Sequence, residues 1–301
     1  PGTPVLSSDG KHYAYAARKG DKIVMVSDGK SLPAYDGIHE NPIVFSPDSK
    51  RLAYVAQIGN KAGVVVDGKA DAGCDGIGKG MIIFSPDSRH IAYICRNGEQ
   101  WTVVVDGKAG PAFDGIKAGS LLFSPDSKKV SYAAVTGKML SVVVDGNSGP
   151  QFEGIMPGTP LFSPDSKHVA YGAKKGDKQL MVVDGRESEL YDKIIKGTAL
   201  FSPDSSKAVY AARKNDKWVV VCGTAASPQY DKIGDNGPVF STDGKRLAFT
   251  AMKGSKWYLV IDGKENSECD YFLCGPAASG ESGFEAIAVR SSVIYRVKWK
   301  P

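Results

Sequence analysis

Seven acids recur at one position along the chain, each preceded by an aromatic residue or a cysteine: Tyr35-Asp36, Cys74-Asp75, Phe113-Asp114, Phe152-Glu153, Tyr191-Asp192, Tyr230-Asp231 and Cys269-Asp270. Repeated carboxylates suggest a cation site, because a hard cation collects several oxygens about 2.3–2.6 Å away. They suit turns equally well, where an Asp side chain accepts backbone N–H groups. Histidine is the other acid–base candidate. His12, His90 and His168 share one repeat position, occupied in other units by Arg51, Lys129 and Arg246, and read as surface residues. His39, beside Glu40, stands apart in a connection between units. There is no Ser-His-Asp set, HExxH, nucleophile elbow or phosphate-binding glycine loop, so no catalytic residue, metal ligand or cofactor is assigned.

Two further groups suit binding rather than catalysis. Trp101, Trp218 and Trp257 each start a β-prone run, where an aromatic can anchor a partner. Lysine and arginine gather in the Gly-rich loops just before such runs, including Arg18, Lys19, Lys174, Lys175, Arg213 and Lys214. A ring of positive potential of this kind attracts an acidic protein, a polyanion or an anionic surface.

The five cysteines, Cys74, Cys95, Cys222, Cys269 and Cys274, have no CxxC spacing and leave at least one thiol unpaired within the chain. Cys269 and Cys274 lie five residues apart in "CDYFLC", where the regular pattern fails. A bridge there needs Cα atoms within about 7 Å, hence a turn at Phe272-Leu273, and an oxidising compartment. Its small loop yields only about 2 kcal/mol.

The elements that position these residues come from one repeated sentence. Phe45, Phe84, Phe123, Phe162 and Phe201 precede Ser-Pro-Asp-Ser, Phe240 precedes Ser-Thr-Asp-Gly and Leu6 precedes Ser-Ser-Asp-Gly, each 39 residues after the last. A period near 40 belongs to propellers or helical arrays. Helices are excluded, because the units carry short β-prone runs such as "LAYVA" and "VVVDG" between Gly, Pro, Asp and Ser, without 3.6 periodicity.

Each unit predicts four antiparallel strands. The first ends at the marker Phe, Ser-Pro-Asp-Ser turns the chain, and the second follows, as in Leu52-Ala53-Tyr54-Val55-Ala56. A Lys/Gly-rich loop leads to the third, Asp-Gly makes a type I′ hairpin, and the fourth ends at the recurring acid. The acids thus lie on outermost strands, too far apart to share an ion, and capping is their expected role. Unit six departs most, reading "VVVCGTAASPQYDK" around Cys222.

The expected fold is an all-β propeller over 1–301 as a single domain, with repeats starting near 1, 40, 79, 118, 157, 196 and 235. Residues 277–301 add two more strands around Ser291-Ser292, favouring eight blades with the last incomplete; seven blades with an added hairpin is the alternative.

"FSPDSKRLAY" and its copies resemble the Ser-Pro-Asp blade motif of TolB-type, WD-repeat-like β-propellers. The likeness spans nearly the whole chain and implies a propeller, an interaction role and a periplasmic or secreted location. The regular "VVVDGK…YDGI" half of each unit departs from that pattern.

Composition agrees with a globular chain: 42% hydrophobic, 24% charged, with 35 Gly and 17 Pro for many turns. Apolar runs are far below the roughly 18–20 residues of a membrane span. A net charge of +5 falls short of a dedicated nucleic-acid binder, so no specific nucleic-acid partner is expected. The leading expectation is a non-enzymatic scaffold that presents its loop face to another macromolecule, an acidic protein in the first place. The alternative is a small-ligand-binding or enzymatic propeller using a central opening. The bland starts of the first strands argue against the alternative: Asn41-Pro42, Gly80-Met81, Gly119-Ser120, Gly158-Thr159, Gly197-Thr198 and Gly237-Pro238.

Overall fold

A computed structural model describes residues 3–301, with the side chains of 40–42 and 79–81 outside that description. Glu40, Asn41-Pro42 and Gly80-Met81 therefore lie outside the residues whose side chains can be placed. The described chain holds no helix and folds as a β-propeller of eight antiparallel sheets. By compactness it forms two units, Pro1–Gln151 and Phe152–Pro301.

The second sheet shows the plan: Gly37–Phe45, Leu52–Ile58, Lys61–Val66 and Lys69–Ala70, innermost to outermost, pairing in sequence order. From the fourth to the seventh sheet the innermost strand is two short pieces, such as Gly115–Ile116 and Leu122–Phe123, both pairing with the second strand Val130–Thr136. The eighth sheet has three strands, Tyr271–Ser279, Gly283–Arg290 and Val293–Trp299. This is the incomplete last blade that the sequence favours.

From the second to the seventh sheet, second strands are buried on both faces. Leu52 through Ala56 are five consecutive buried residues, because another sheet stacks on each side. Outermost strands are nearly all exposed; in Lys108–Phe113 only Phe113 is buried. That terminal aromatic anchors the strand on the next sheet. Phe113 meets Tyr132 edge-on at 6.1 Å, and Tyr35–Tyr54, Phe152–Tyr171, Tyr191–Tyr210 and Tyr230–Phe249 repeat the contact. Each such pair contributes about 1 kcal/mol beyond its burial.

Turns lock neighbouring sheets by hydrogen bonds. In Ser46-Pro47-Asp48-Ser49 the Ser46 hydroxyl donates to Asp48 Oδ1 (2.6 Å) and accepts Arg51 N–H (2.9 Å). The Asp48 N–H then donates across to Ser88 Oγ of the next sheet at 3.0 Å, as Asp87 does to Ser127 and Asp165 to Ser205. The Asp-Gly turns have the predicted positive φ at both positions, 50° at Asp67 and 81° at Gly68. Their carboxylates accept the N–H that opens the second strand, Leu52 on Asp67 at 2.9 Å.

The candidate Cys269–Cys274 bridge is absent. Both thiols are free, Cys269 buried and Cys274 exposed. Instead of turning at Phe272-Leu273, the chain runs on as the strand Tyr271–Ser279 and absorbs its irregularity in bulges beside Cys274. Extended chain rises about 3.3 Å per residue, which carries the two Cα atoms beyond bonding reach. The disulfide joins Cys74 to Cys95, with Cα atoms 5.7 Å apart. Cys74 holds the anchoring-aromatic slot of the second sheet, and Cys95 lies on the second strand of the third. A covalent link thus replaces the aromatic contact found between other sheets. At the position equivalent to Cys95, the sheet beside Cys269 offers only Ala288.

Candidate functional site

The loop end of the sheets carries most of the residues expected to bind. Its acids are structural. Asp36 accepts the N–H of Gly59 at 2.8 Å, in the hairpin loop of the next sheet, and Asp75, Asp114, Glu153, Asp192, Asp231 and Asp270 do the same for Gly98, Gly137, Gly176, Asn215, Gly254 and Ser291. Among the described residues, no group of three His, Cys, Asp or Glu side chains is placed to hold a metal ion.

The same acids neutralise several of the loop lysines. Lys22, Lys61, Lys178, Lys217 and Lys256 pair with Asp36, Asp75, Asp192, Asp231 and Asp270. Asp36, Asp192, Asp231 and Asp270 are held below the usual carboxylate range, first by the lysine and then by the loop N–H. Of the predicted binding residues, Lys175 pairs with Glu187 at 3.1 Å and Lys214 pairs with Glu189. Arg18, Lys19, Lys174 and His39 are exposed and outside any ion pair among the described residues.

The tryptophans divide. Trp101 and Trp218 are half-buried against the cores between sheets, with Arg96 and Arg213 stacked over their rings at 5.9 Å. They pack rather than project. Trp257 is likewise half-buried against a core and also lines a cavity of about 220 Å³ with Asp235, Asn236, Thr250, Tyr271 and Leu273. The Asn236 amide donates to the Gly275 carbonyl at 2.8 Å, joining the seventh sheet's connection to the eighth sheet.

Next to that cavity the eighth sheet exposes four large apolar side chains: Tyr271 (48%), Leu273 (51%), Val293 (63%) and Ile294 (65%). Tyr271 and Ile294 flank the buried Val289 in one cross-strand row at the loop end of the sheet, and Val293, the residue before Ile294, points to the other face. The third strand, Val293–Trp299, has no fourth strand beside it among the described residues. Sequence reading passed over these side chains. The available signal was Val293, which follows the hairpin turn where Lys61, Lys178, Lys217 and Lys256 stand in other units.

The remaining candidates are structural. His12, His90 and His168 bind Asp28, Asp106 and Asp184 through Nδ1 at 2.6–2.7 Å. At the innermost strands the hydroxyls of Ser120 and Thr198 donate to the Lys117 and Ile195 carbonyls and accept the N–H groups of Ala133 and Ala211.

No family model matches the chain. No curated protein matches it. Solved structures similar to it are β-propellers at low sequence identity. They include TolB from Acinetobacter baumannii (14% identity, 85% of this chain and 80% of that one, TM-score 0.31). Another is the β-propeller domain of the Trilobed protease from Pyrococcus furiosus (14% identity, 95% of each chain, TM-score 0.37). A third is a eukaryotic initiation factor (11% identity, 95% of this chain and 81% of that one, TM-score 0.45).

Proposed function

We propose that this protein is a non-catalytic propeller that binds another protein at the loop end of its last sheet. The observation that carries this reading is the exposure of Tyr271, Leu273, Val293 and Ile294 at the loop end of one sheet, the first two lining the Trp257 cavity. Large apolar side chains exposed in this way mark protein contact surfaces. The edge of Val293–Trp299, which no strand pairs among the described residues, adds backbone groups on which a partner strand can hydrogen-bond. The non-catalytic part is supported by commitment: the recurring acids and three of the four histidines already hold turns together. Arg18, Lys19 and Lys174 contribute a weaker attraction for an acidic partner. The Cys74–Cys95 bridge supports an oxidising compartment, in line with the periplasmic or secreted location implied by the resemblance.

Affinity capture from the native source tests the reading with three baits of equal thermal stability. Intact protein and a variant with Arg18, Lys19 and Lys174 changed to Ala are expected to retain one common protein, which Leu273→Asp with Ile294→Asp loses. Retention by the Asp variant, or loss by the Ala variant, would overturn it.

A further inference from the structure

At the opposite, turn end of the sheets, a groove opens between the third and fourth sheets with a volume of about 660 Å³. Its size falls in the ordinary range for small-ligand sites. Val103, Val105, Phe123 and Val130 make an apolar wall, and Lys108 and Lys128 stand at the rim with no ion-pair partner among the described residues. Tyr132 is 3% exposed and lines the groove. Its hydroxyl has no hydrogen-bond partner among the described residues, and it is 3.9 Å from where a Cβ on Gly110 would stand.

The neighbouring interface shows what this hydroxyl is built to meet. Between the second and third sheets the equivalent tyrosine is Tyr93, and the residue equivalent to Gly110 is Asp71. The Tyr93 hydroxyl donates to the Asp71 carboxylate. Arg51 then closes that interface by reaching over Phe84 to the Ser88 and Arg89 carbonyls at 3.1 and 2.8 Å. Between the third and fourth sheets both fillings are missing. Glycine replaces the aspartate, and His90, tied to Asp106, replaces the arginine. Between the first and second sheets the same place is filled by Leu32. Glycine at 110 thus leaves open, beside the Tyr132 hydroxyl, the place that Asp71 and Leu32 fill in the preceding interfaces.

We propose that the groove between the third and fourth sheets binds a small monocarboxylate with an apolar body. Its carboxylate takes the place that Asp71 fills next door and accepts the Tyr132 hydroxyl, while Lys108 and Lys128 attract it and the valines and Phe123 cover its apolar part. Burial pushes the Tyr132 hydroxyl up to about 12, so it stays a donor through the neutral range. The molecule contains its own control. An equivalent groove of about 370 Å³ lies between the sixth and seventh sheets, where Phe249 stands for Tyr132 and Ser227 for Gly110. Lacking the phenol, it should not select the carboxylate.

The test is calorimetric and NMR titration of the intact protein with 4-phenylbutanoate and with its neutral amide. The carboxylate is expected to bind saturably at one site and at least about tenfold more tightly than the amide. Tyr132→Phe, which keeps the ring, should weaken the carboxylate about tenfold and leave the amide unchanged. Gly110→Asp should abolish binding by supplying the internal carboxylate, whereas Ser227→Asp in the control groove should not. Equal binding of acid and amide, indifference to Tyr132→Phe, or no saturation by about 10 mM would overturn the proposal.

Discussion

Ser163 donates its hydroxyl proton to Asp165 at 2.6 Å and accepts the N–H of His168 at 3.0 Å, so one side chain closes both ends of a five-residue turn. The same bond holds the Asp165 carboxyl down from an ordinary 3.8 to about 2, with the N–H of Lys167 second. Asp243 reaches about 2 in the same way, through Ser241 first and Ser282 next. A carboxyl depressed by folding stabilises the native state fully above its unfolded value, and the contribution disappears as pH falls through the folded value. These turns should therefore hold at pH 4 and give way as the pH approaches 2. Ser163→Ala removes the first cause. The Asp165 carboxyl should then titrate closer to its ordinary value in an NMR pH series, and acid unfolding should begin at higher pH. An unchanged Asp165 titration would show that the serine does not set it.

At the scale of the element, the Cys74–Cys95 bridge ties the second and third sheets across 21 residues. By loop-closure entropy it should contribute about 3 kcal/mol, read as a lower denaturant midpoint for Cys74→Ser or for reduced protein. Cys74→Phe with Cys95→Ala restores the pairing used between other sheets, placing a ring against Tyr93, and should recover about 1 kcal/mol of that loss. If the double variant is no more stable than Cys74→Ser, the slot does not work as the other interfaces do. Thiol counting cannot replace peptide mapping here, because a bridge at either pair leaves three of the five cysteines free. The blade itself was legible in sequence, since Asp-Gly hairpins, Ser-Pro-Asp turns and the aromatic-acid ending each act within one unit or on its neighbour. The bridge was not, because Cys74 and Cys95 belong to different copies and meet only after sheets stack. The turn expected at Phe272-Leu273 failed for a related reason: pairing with Gly283–Arg290 keeps that segment extended.

For the molecule as a whole, a net charge of +5 and many loop lysines suggest a partner held by charge, with binding that fades as salt rises. The folded arrangement points elsewhere, because Lys22, Lys61, Lys178, Lys217 and Lys256 face the acids that cap the loops, Lys175, Lys214 and Lys253 pair with Glu187, Glu189 and Glu265, and Trp101 and Trp218 lie under arginines. Composition cannot reveal this, since each lysine and its acid are separated by the strands that bring them together. Besides the unpaired Arg18, Lys19, Lys174 and His39, the loop end exposes Tyr271, Leu273, Val293 and Ile294, on a sheet with no fourth strand among the described residues. Exposed charges are screened over about 8 Å at physiological ionic strength and about 3 Å at 1 M, whereas apolar contact persists. Capture of the partner by intact protein should thus survive a change from about 0.1 to 1 M sodium chloride with less than a tenfold loss. A loss of a hundredfold or more would return the binding role to Arg18, Lys19 and Lys174. In that case Leu273→Asp with Ile294→Asp should leave capture at low salt intact, so the two measurements together assign the surface.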